Sequence, residues 1–321
     1  MAGVGMSGRS HLLDLVSSDQ FDVTAVCGSR IERSARVACD FGVPKAYDDI
    51  TEMLATENIE GLVLATPPEI TATALAMALK RGIHTLAEKP AALSSDLLES
   101  ALAQVDSTLG VVAYNRRYQD HVHRARQLLR SARIGDVTSV SCTWTAPFSQ
   151  RYHPMVDTYR RSVDSSQGMV LDTACHIIDT LAFLQLPPPR IRKARLDSQS
   201  FGADIELTLG HESADISATI SIQDVGDDDQ WSMSIDGTEA KILLNRMRLT
   251  VDSESGRAEY PAADIQRPVD DLLALASGRQ ALGASLPAAI GVLRVIDQLC
   301  AIRRRWQRPR AKALGRLNGA C

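Results

Sequence analysis

Long apolar runs are absent from this chain: nothing approaches the roughly eighteen consecutive apolar residues that a membrane-spanning helix requires. The opening Met1-Ala2-Gly3-Val4-Gly5-Met6-Ser7 also lacks the basic start and apolar stretch of a signal peptide. A cytoplasmic protein is the expectation. Net positive charge is missing too: at −4 the balance offers nucleic acid no attraction, and the basic tail from Arg303 to Arg316 reads as a solvated terminus. Cys27, Cys39, Cys142, Cys175, Cys300 and Cys321 form no Cys-x-x-Cys pair and have no histidine at zinc-ligand spacing. Neither a disulfide framework nor a metal site is therefore expected. Internal repeats are absent. Lysine is scarce, with six against twenty-nine arginines. A chain that favours arginine this strongly keeps a lysine where a removable proton has a use, because a guanidinium does not titrate in proteins and a desolvated ammonium can.

What is present is the composition of an ordinary globular protein, 45% apolar and 23% charged over 321 residues. That length exceeds one usual core and predicts two domains, over 1–118 and 119–321. In the first, apolar strand-like runs (23–27, 61–65, 84–87, 110–114) alternate with helical stretches (9–16, 30–41, 49–55, 70–81, 95–105). This is the pattern of a doubly wound parallel sheet covered by helices, an α/β Rossmann arrangement. Past Gly135 the rhythm changes. Strand-like segments at 137–145, 191–198, 203–209, 214–222, 231–235, 240–244 and 248–251 predict an α+β domain with an antiparallel sheet of six or seven strands. Helices are expected over 169–184, 269–277 and 286–304, the last packing back on the first domain.

Gly3-x-Gly5-x-x-Gly8 supplies a tight turn, a close backbone approach to a pyrophosphate and a helix N-terminus to meet its charge. Only Met1 and Ala2 precede it, whereas the fingerprint follows a strand. The central strand is thus expected to be missing or truncated, with the true start of the chain upstream. After the second strand, Arg30 stands where an acidic residue would bind the ribose 2′-hydroxyl of NAD. With Ser29 and Arg33 beside it the segment suits a 2′-phosphate and favours NADP(H) over NAD, although Glu32 could serve a ribose instead. Thr66-Pro67-Pro68 closes a strand in a loop at the usual ligand-bearing edge, and Glu88-Lys89-Pro90 follows the next strand.

Asp172 and His176 lie four apart on one helix face, which Asp179 extends by a turn. A carboxylate can orient an imidazole for proton transfer, but such a pair serves helix stability equally well. The neighbouring Cys175 reads as a buried inert thiol, and the acidic run Gly226-Asp227-Asp228-Asp229 as a solvated turn.

Taken together, Ala2-Gly3-x-Gly5-x-x-Gly8-x-x-His11, Thr66-Pro67-Pro68, Glu88-Lys89-Pro90, Tyr114-Asn115-Arg116-Arg117-Tyr118 and the segment from Gly168 to Asp179 resemble the Gfo/Idh/MocA family of NAD(P)-dependent sugar and polyol oxidoreductases. The resemblance implies catalytic roles for Lys89, Asp172 and His176. It implies cofactor contacts at Gly3, Gly5, Met6, Ser7, Gly8, Ser29, Arg30, Arg33, Thr66, Pro67, Pro68, Glu88, Lys89 and Asn115. Substrate contacts are expected from Lys89, Arg116, Asp172 and His176, and from Tyr152, Tyr159, Arg160 and Arg161 in an aperiodic, donor-rich loop that also carries Arg151 and His153. Three arginines there suit an anionic group such as a nucleotide or carboxylate, and a solvent-exposed loop is an equal reading. Thr71 and Ser166-Gln167 depart from the family pattern, which puts substrate placement in doubt. The implied reaction is hydride transfer between NADP(H) and a secondary alcohol or ketone of a sugar, polyol or sugar nucleotide, in the reductive direction, by a homodimer or homotetramer. Two alternatives stay open: a non-catalytic regulator that binds NADP and sugar, and a reductase of imines or tetrapyrroles.

Overall fold

The computed structural model describes residues 1–152, 165–197, 202–210 and 216–306. After α1 (Met6–Val16) come β1 (Ala25–Cys27), α2 (Ile31–Phe41), β2 (Lys45–Tyr47), α3 (Ile50–Thr56), β3 (Gly61–Leu64), α4 (Pro68–Leu79), β4 (His84–Glu88), α5 (Ser95–Leu102) and β5 (Gly110–Ala113). β3, β4 and β5 pair in parallel, as do β1 and β2. The central segments Leu62-Val63-Leu64 and Leu86-Ala87 are buried, since helices cover the sheet on both sides. Local chemistry sets the helix ends. The Asp49 carboxylate accepts the Thr51 N–H to start α3, Pro68 opens α4, and Gly42 at φ +69° closes α2.

The expected gap at the middle of the sheet is closed over its loop-bearing end. Ala2 bridges in parallel to Cys27 on one side and to Leu64 on the other. Its N–H donates to Val63 O at 2.8 Å, and its carbonyl accepts from Ala65 N–H at 2.7 Å. On the β1 side the Met1 carbonyl accepts from Cys27 N–H at 2.9 Å and Gly3 N–H donates to Cys27 O at 2.8 Å, so Met1, Ala2 and Gly3 together pair both neighbours where they deliver Gly3 and Thr66 to the site.

The chain continues through α6 (Asp120–Arg130), β6 (Val137–Ala146), α7 (Phe148–Tyr152), α8 (Ser165–Phe183), β7 (Pro189–Asp197), β8 (Gly202–Leu209), β9 (Ile216–Asp224), β10 (Gln230–Gly237), β11 (Ala240–Asn245), β12 (Arg248–Ser253), β13 (Gly256–Pro261), α9 (Asp271–Ala276), β14 (Ala284–Ser285) and α10 (Leu286–Trp306). Eight of these strands form one sheet in the order β13-β12-β11-β10-β6-β9-β8-β7, with β6 and β9 parallel and every other pair antiparallel. Val140, Cys142, Trp144 and Ala146 of β6 point into the core, while Ser141 and Thr143 between them are exposed. β14 leaves this region and adds antiparallel to β5.

Buried Val170, Leu171, Ala174, Ile177, Ile178 and Leu181 make α8 apolar around most of its girth. Such a helix belongs inside the protein, so its polar stripe of Asp172, His176 and Asp179 is held where water is scarce. Arg117, just after β5, grips Asp179 with Nε at 2.9 Å and a terminal nitrogen at 2.8 Å. α10 ties back to α5, where its Asp297 accepts from the Ser95 N–H and hydroxyl at 2.8 and 2.7 Å.

Candidate active site

The glycines of the opening loop divide the labour that their spacing predicts. Gly3 adopts φ +95°, and a Cβ there would collide with the carbonyl of Ala65. A Cβ on Gly8 would run into the carbonyl of Gly3, so this glycine lets α1 sit close against the loop. Gly5 is different: a Cβ there would meet nothing within 4 Å, and no side chain caps the helix that it begins. The first N–H groups of α1, from Met6, Ser7 and Gly8, are thus left for an anion, and these features fit a dinucleotide pyrophosphate. Beside this loop the Thr66 hydroxyl meets that of Thr71 at 2.8 Å, and Thr71 is wholly buried. His11 Nε2 lies 2.7 Å from Glu88 Oε1, which joins α1 to the end of β4. At the start of α2, Ser29, Arg30, Glu32, Arg33 and Arg36 line an open recess. Arg36 shares this wall although the sequence reading passed over it.

Lys89 follows β4 directly and its peptide to Pro90 is cis. Its ammonium donates to Asp172 Oδ1 at 2.8 Å and to the Asp172 carbonyl at 3.1 Å. Burial by itself lowers the pKa of this ammonium, but the Asp172 carboxylate, with Glu88, outweighs burial and holds it above its ordinary value. The lysine therefore stays charged at neutral pH, which corrects the expectation of a readily removable proton.

His176 is the opposite case. Burial first, then the positive charges of Lys89 and Arg116, keep its pKa well below the usual imidazole value despite Asp172. Its Nδ1 is buried without a hydrogen-bond partner among the described residues. The ring is positioned by packing, against Tyr114 edge-on at 6.1 Å and Trp144 at 5.8 Å. At neutral pH the site thus sets a charged ammonium and an uncharged imidazole around one cleft of about 340 Å³. Cys175 beside them is buried and pushed up to about 12 by desolvation, so it stays a thiol.

The opposite wall comes from the large sheet. Trp144 of β6 and Trp231 of β10 are cross-strand partners, and the guanidinium of Arg116 lies over both rings, at 4.7 and 3.9 Å from their centres. Asp229 accepts from Trp144 Nε1 at 2.7 Å and pairs with Arg151 at 2.9 Å and Arg246 at 2.7 Å. Burial would raise this carboxyl, but Trp144 and the two arginines hold it below the usual carboxylate range. The reading of this acidic turn as wholly solvated thus holds for exposed Asp227 and Asp228 and fails for Asp229. Lys89, Asn115, Arg116, Asp172 and His176 meet at this cleft, as their assignment to one site requires. Trp144, Trp231 and Arg246 join them without having been singled out in the sequence, and Asp229 joins them although it was read as part of a solvated turn. Tyr152 ends α7, but its side chain, together with His153, Tyr159, Arg160 and Arg161, lies outside the described residues.

Residues 1–115 match the model of an oxidoreductase family with an NAD-binding Rossmann fold, and residues 122–243 match the GFO/IDH/MocA C-terminal domain. The chain belongs to the GFO/IDH/MocA family. Its curated relatives in that family include D-xylose 1-dehydrogenase (NADP(+)) 2 of Haloferax volcanii, 26% identical over 64% of this chain and 62% of that protein. The match therefore spans less than two thirds of that relative's length. Inositol 2-dehydrogenase of Rhizobium meliloti is 25% identical over 87% of this chain and 78% of its own. Among solved structures, levoglucosan dehydrogenase in complex with NADH and levoglucosan superposes with a TM-score of 0.79 at 21% identity, covering 95% of this chain and 96% of that one. A dehydrogenase from Chromobacterium violaceum gives 0.79 at 16% identity and 95% coverage of both. At such identities the structural likeness establishes the GFO/IDH/MocA fold: a Rossmann domain followed by a large, mostly antiparallel sheet. Thr71, which departs from the family pattern, uses its hydroxyl within the Thr66-Pro67 loop, contacting the carbonyls of both residues at 3.0 Å.

Proposed function

We propose that this protein is an NADP(H)-dependent oxidoreductase acting on a secondary alcohol or ketone of a sugar or polyol. One observation carries the reading: a charged Lys89 and a neutral His176 face one cleft at the C-terminal ends of β4 and β5, beside a glycine loop shaped for a dinucleotide. The nicotinamide, when bound, supplies the hydride chemistry. Gly3, Gly5 and Gly8 with the first turn of α1 would hold the pyrophosphate, and Thr66, Pro67 and Pro68 would flank the cofactor's path. Ser29, Arg30, Arg33 and Arg36 would take a 2′-phosphate, because several guanidiniums in one recess favour an added anion over a bare ribose.

His176, uncharged in the resting site, accepts the hydroxyl proton of an alcohol as its carbon is oxidised. Lys89 offers its ammonium to the same oxygen and stabilises the alkoxide charge that develops there. Asp172 keeps that ammonium charged and aimed by taking it at 2.8 Å. Reduction of a ketone uses the same groups, with His176 returning the proton. The reductive direction suggested by a preference for NADPH therefore needs an imidazolium, whereas the free site holds the state suited to oxidation. A homodimer or homotetramer, formed over the open face of the large sheet, completes the proposal.

The test is steady-state turnover of myo-inositol, D-xylose and their keto forms with each cofactor. Lys89→Ala and His176→Asn should each lower kcat by roughly 10²–10⁴-fold, the range of one proton-transfer or charge-stabilising group, while cofactor affinity stays near wild type in His176→Asn. Wild-type kcat in either variant would remove the assignment. Cofactor binding with no turnover across a wide carbonyl panel would point to a regulatory protein instead.

A further inference from the structure

Most charges that face the cleft are already matched. Lys89 is paired with Asp172 at 2.8 Å, and Asp229 takes both Arg151 and Arg246. Arg116 is the exception. It is 4% exposed, yet among the described residues no carboxylate lies within bonding reach of its guanidinium. None of its nitrogens is both buried and unbonded, so they keep access to the cleft that the residue lines. The partners that the guanidinium does have are the rings of Trp144 and Trp231, which take no N–H as a carboxylate would. Desolvation lowers its pKa only to about 10, so it remains a cation at neutral pH.

A buried cation without a counterion is costly, and indole faces offset only part of that cost. Among the described residues four cations, Lys89, Arg116, Arg151 and Arg246, line this cleft beside two carboxylates, Asp172 and Asp229; Asp179, whose charge also acts on Arg116, is bonded to Arg117. A guanidinium presents parallel N–H donors in a fixed fork, which a carboxylate matches in two-point contact and a single hydroxyl cannot. At about 340 Å³ the cleft is at the small end of ligand sites, which run roughly from 300 to 1,000 Å³. It suits a single sugar-sized molecule better than a sugar nucleotide.

We infer that the substrate is a monosaccharide-sized polyhydroxy acid, an aldonate or uronate, whose carboxylate pairs with Arg116 while a hydroxyl-bearing carbon faces Lys89 and His176. The inference rests on the oxidoreductase reading for the second half of that statement only. The carboxylate supplies the missing counterion, and its pairing with Arg116 fixes which carbon is presented for oxidation.

Because Trp144 and Trp231 touch Arg116, tryptophan fluorescence of the NADP⁺-loaded protein reports binding at this spot independently of turnover. The probes are matched pairs that differ in one carboxylate: D-gluconate with D-glucitol, D-galactonate with galactitol, and D-glucuronate with D-glucose. In the wild-type protein at least one acid should bind about tenfold or more tightly than its neutral partner, the effect of one charge-assisted contact. Arg116→Gln should bring the two members of that pair together, and Arg116→Lys should keep part of the difference. Equal binding within every pair, or binding by neither member at millimolar concentration, overturns the inference, and this comparison needs no variant to fold. A loss in Arg116→Gln that is equal for acid and neutral partner also overturns it. Turnover of neutral polyols without preference for acids leaves the oxidoreductase reading intact and removes this one. Acid binding that depends on Arg116 without any turnover does the reverse.

Discussion

His176 shows how much a single side chain owes to its surroundings. On a helix surface an imidazole four residues after an aspartate would have its pKa raised, yet burial and two nearby cations drive it the other way. The rate of alcohol oxidation should therefore be level above pH 6.5 and fall only on the acid side, below the ordinary imidazole range. A pH profile of kcat measures this, and a limb centred at or above pH 7 would show that the imidazole is not the base. The sign for stability agrees: a folded pKa below the unfolded value contributes stability that is complete above about pH 6.5 and declines as pH falls toward the folded value. Arg30 is a simpler residue-scale case, being exposed at the recess beside α2. Arg30→Ala should raise the Kd for NADPH by about tenfold, with little change for NADH, when both are titrated by nicotinamide fluorescence. Equal loss for both cofactors would assign Arg30 to the shared part of the dinucleotide.

At the scale of elements, α8 is joined to the segment after β5 by the pair Arg117–Asp179, with Asp179 only 1% exposed. Burial pushes this carboxyl upward in pKa while Arg117 works to keep it charged. Arg117→Met leaves an uncompensated carboxylate inside and should destabilise the fold by about 3–5 kcal/mol, read as a lower urea midpoint. Arg117→Met with Asp179→Asn should recover much of the loss. If the single and double variants are equally unstable, packing over Phe183 rather than charge pairing is what Arg117 supplies. The elements that escaped the sequence reading share a cause. β13 is exposed at nearly every position, and β2 spans only Lys45-Ala46-Tyr47. Neither offers the apolar period on which such a reading depends. By contrast, α8, α10 and strands β1, β3, β4 and β5 were legible because their apolar runs are long or cleanly bounded.

For the whole molecule, one face of the eight-stranded sheet lacks, among the described residues, the cover that the helices give the other. Ser141, Thr143, Ser217 and Thr219 stand exposed on its central strands β6 and β9. The proposed homodimer or homotetramer should use this face, so light scattering at micromolar concentration should give at least twice the monomer mass, and Thr143→Arg with Thr219→Arg should reduce it. A monomer in the unaltered protein would end that proposal. No helix among the described residues is long and apolar enough to cross a membrane.

The sequence alone determined the local facts: glycines where the chain must turn or approach closely, a lysine after β4, and three polar residues in register along an apolar helix. Those follow from short-range sterics and periodicity, which neighbouring residues decide. Only the tertiary structure brought Trp144, Trp231, Asp229 and Arg246 to the same cleft as Lys89 and His176, and left Arg116 there with no carboxylate among the described residues within bonding reach. Contacts between residues a hundred positions apart depend on how two sheets pack, and the protonation states of the site depend on the burial that this packing creates.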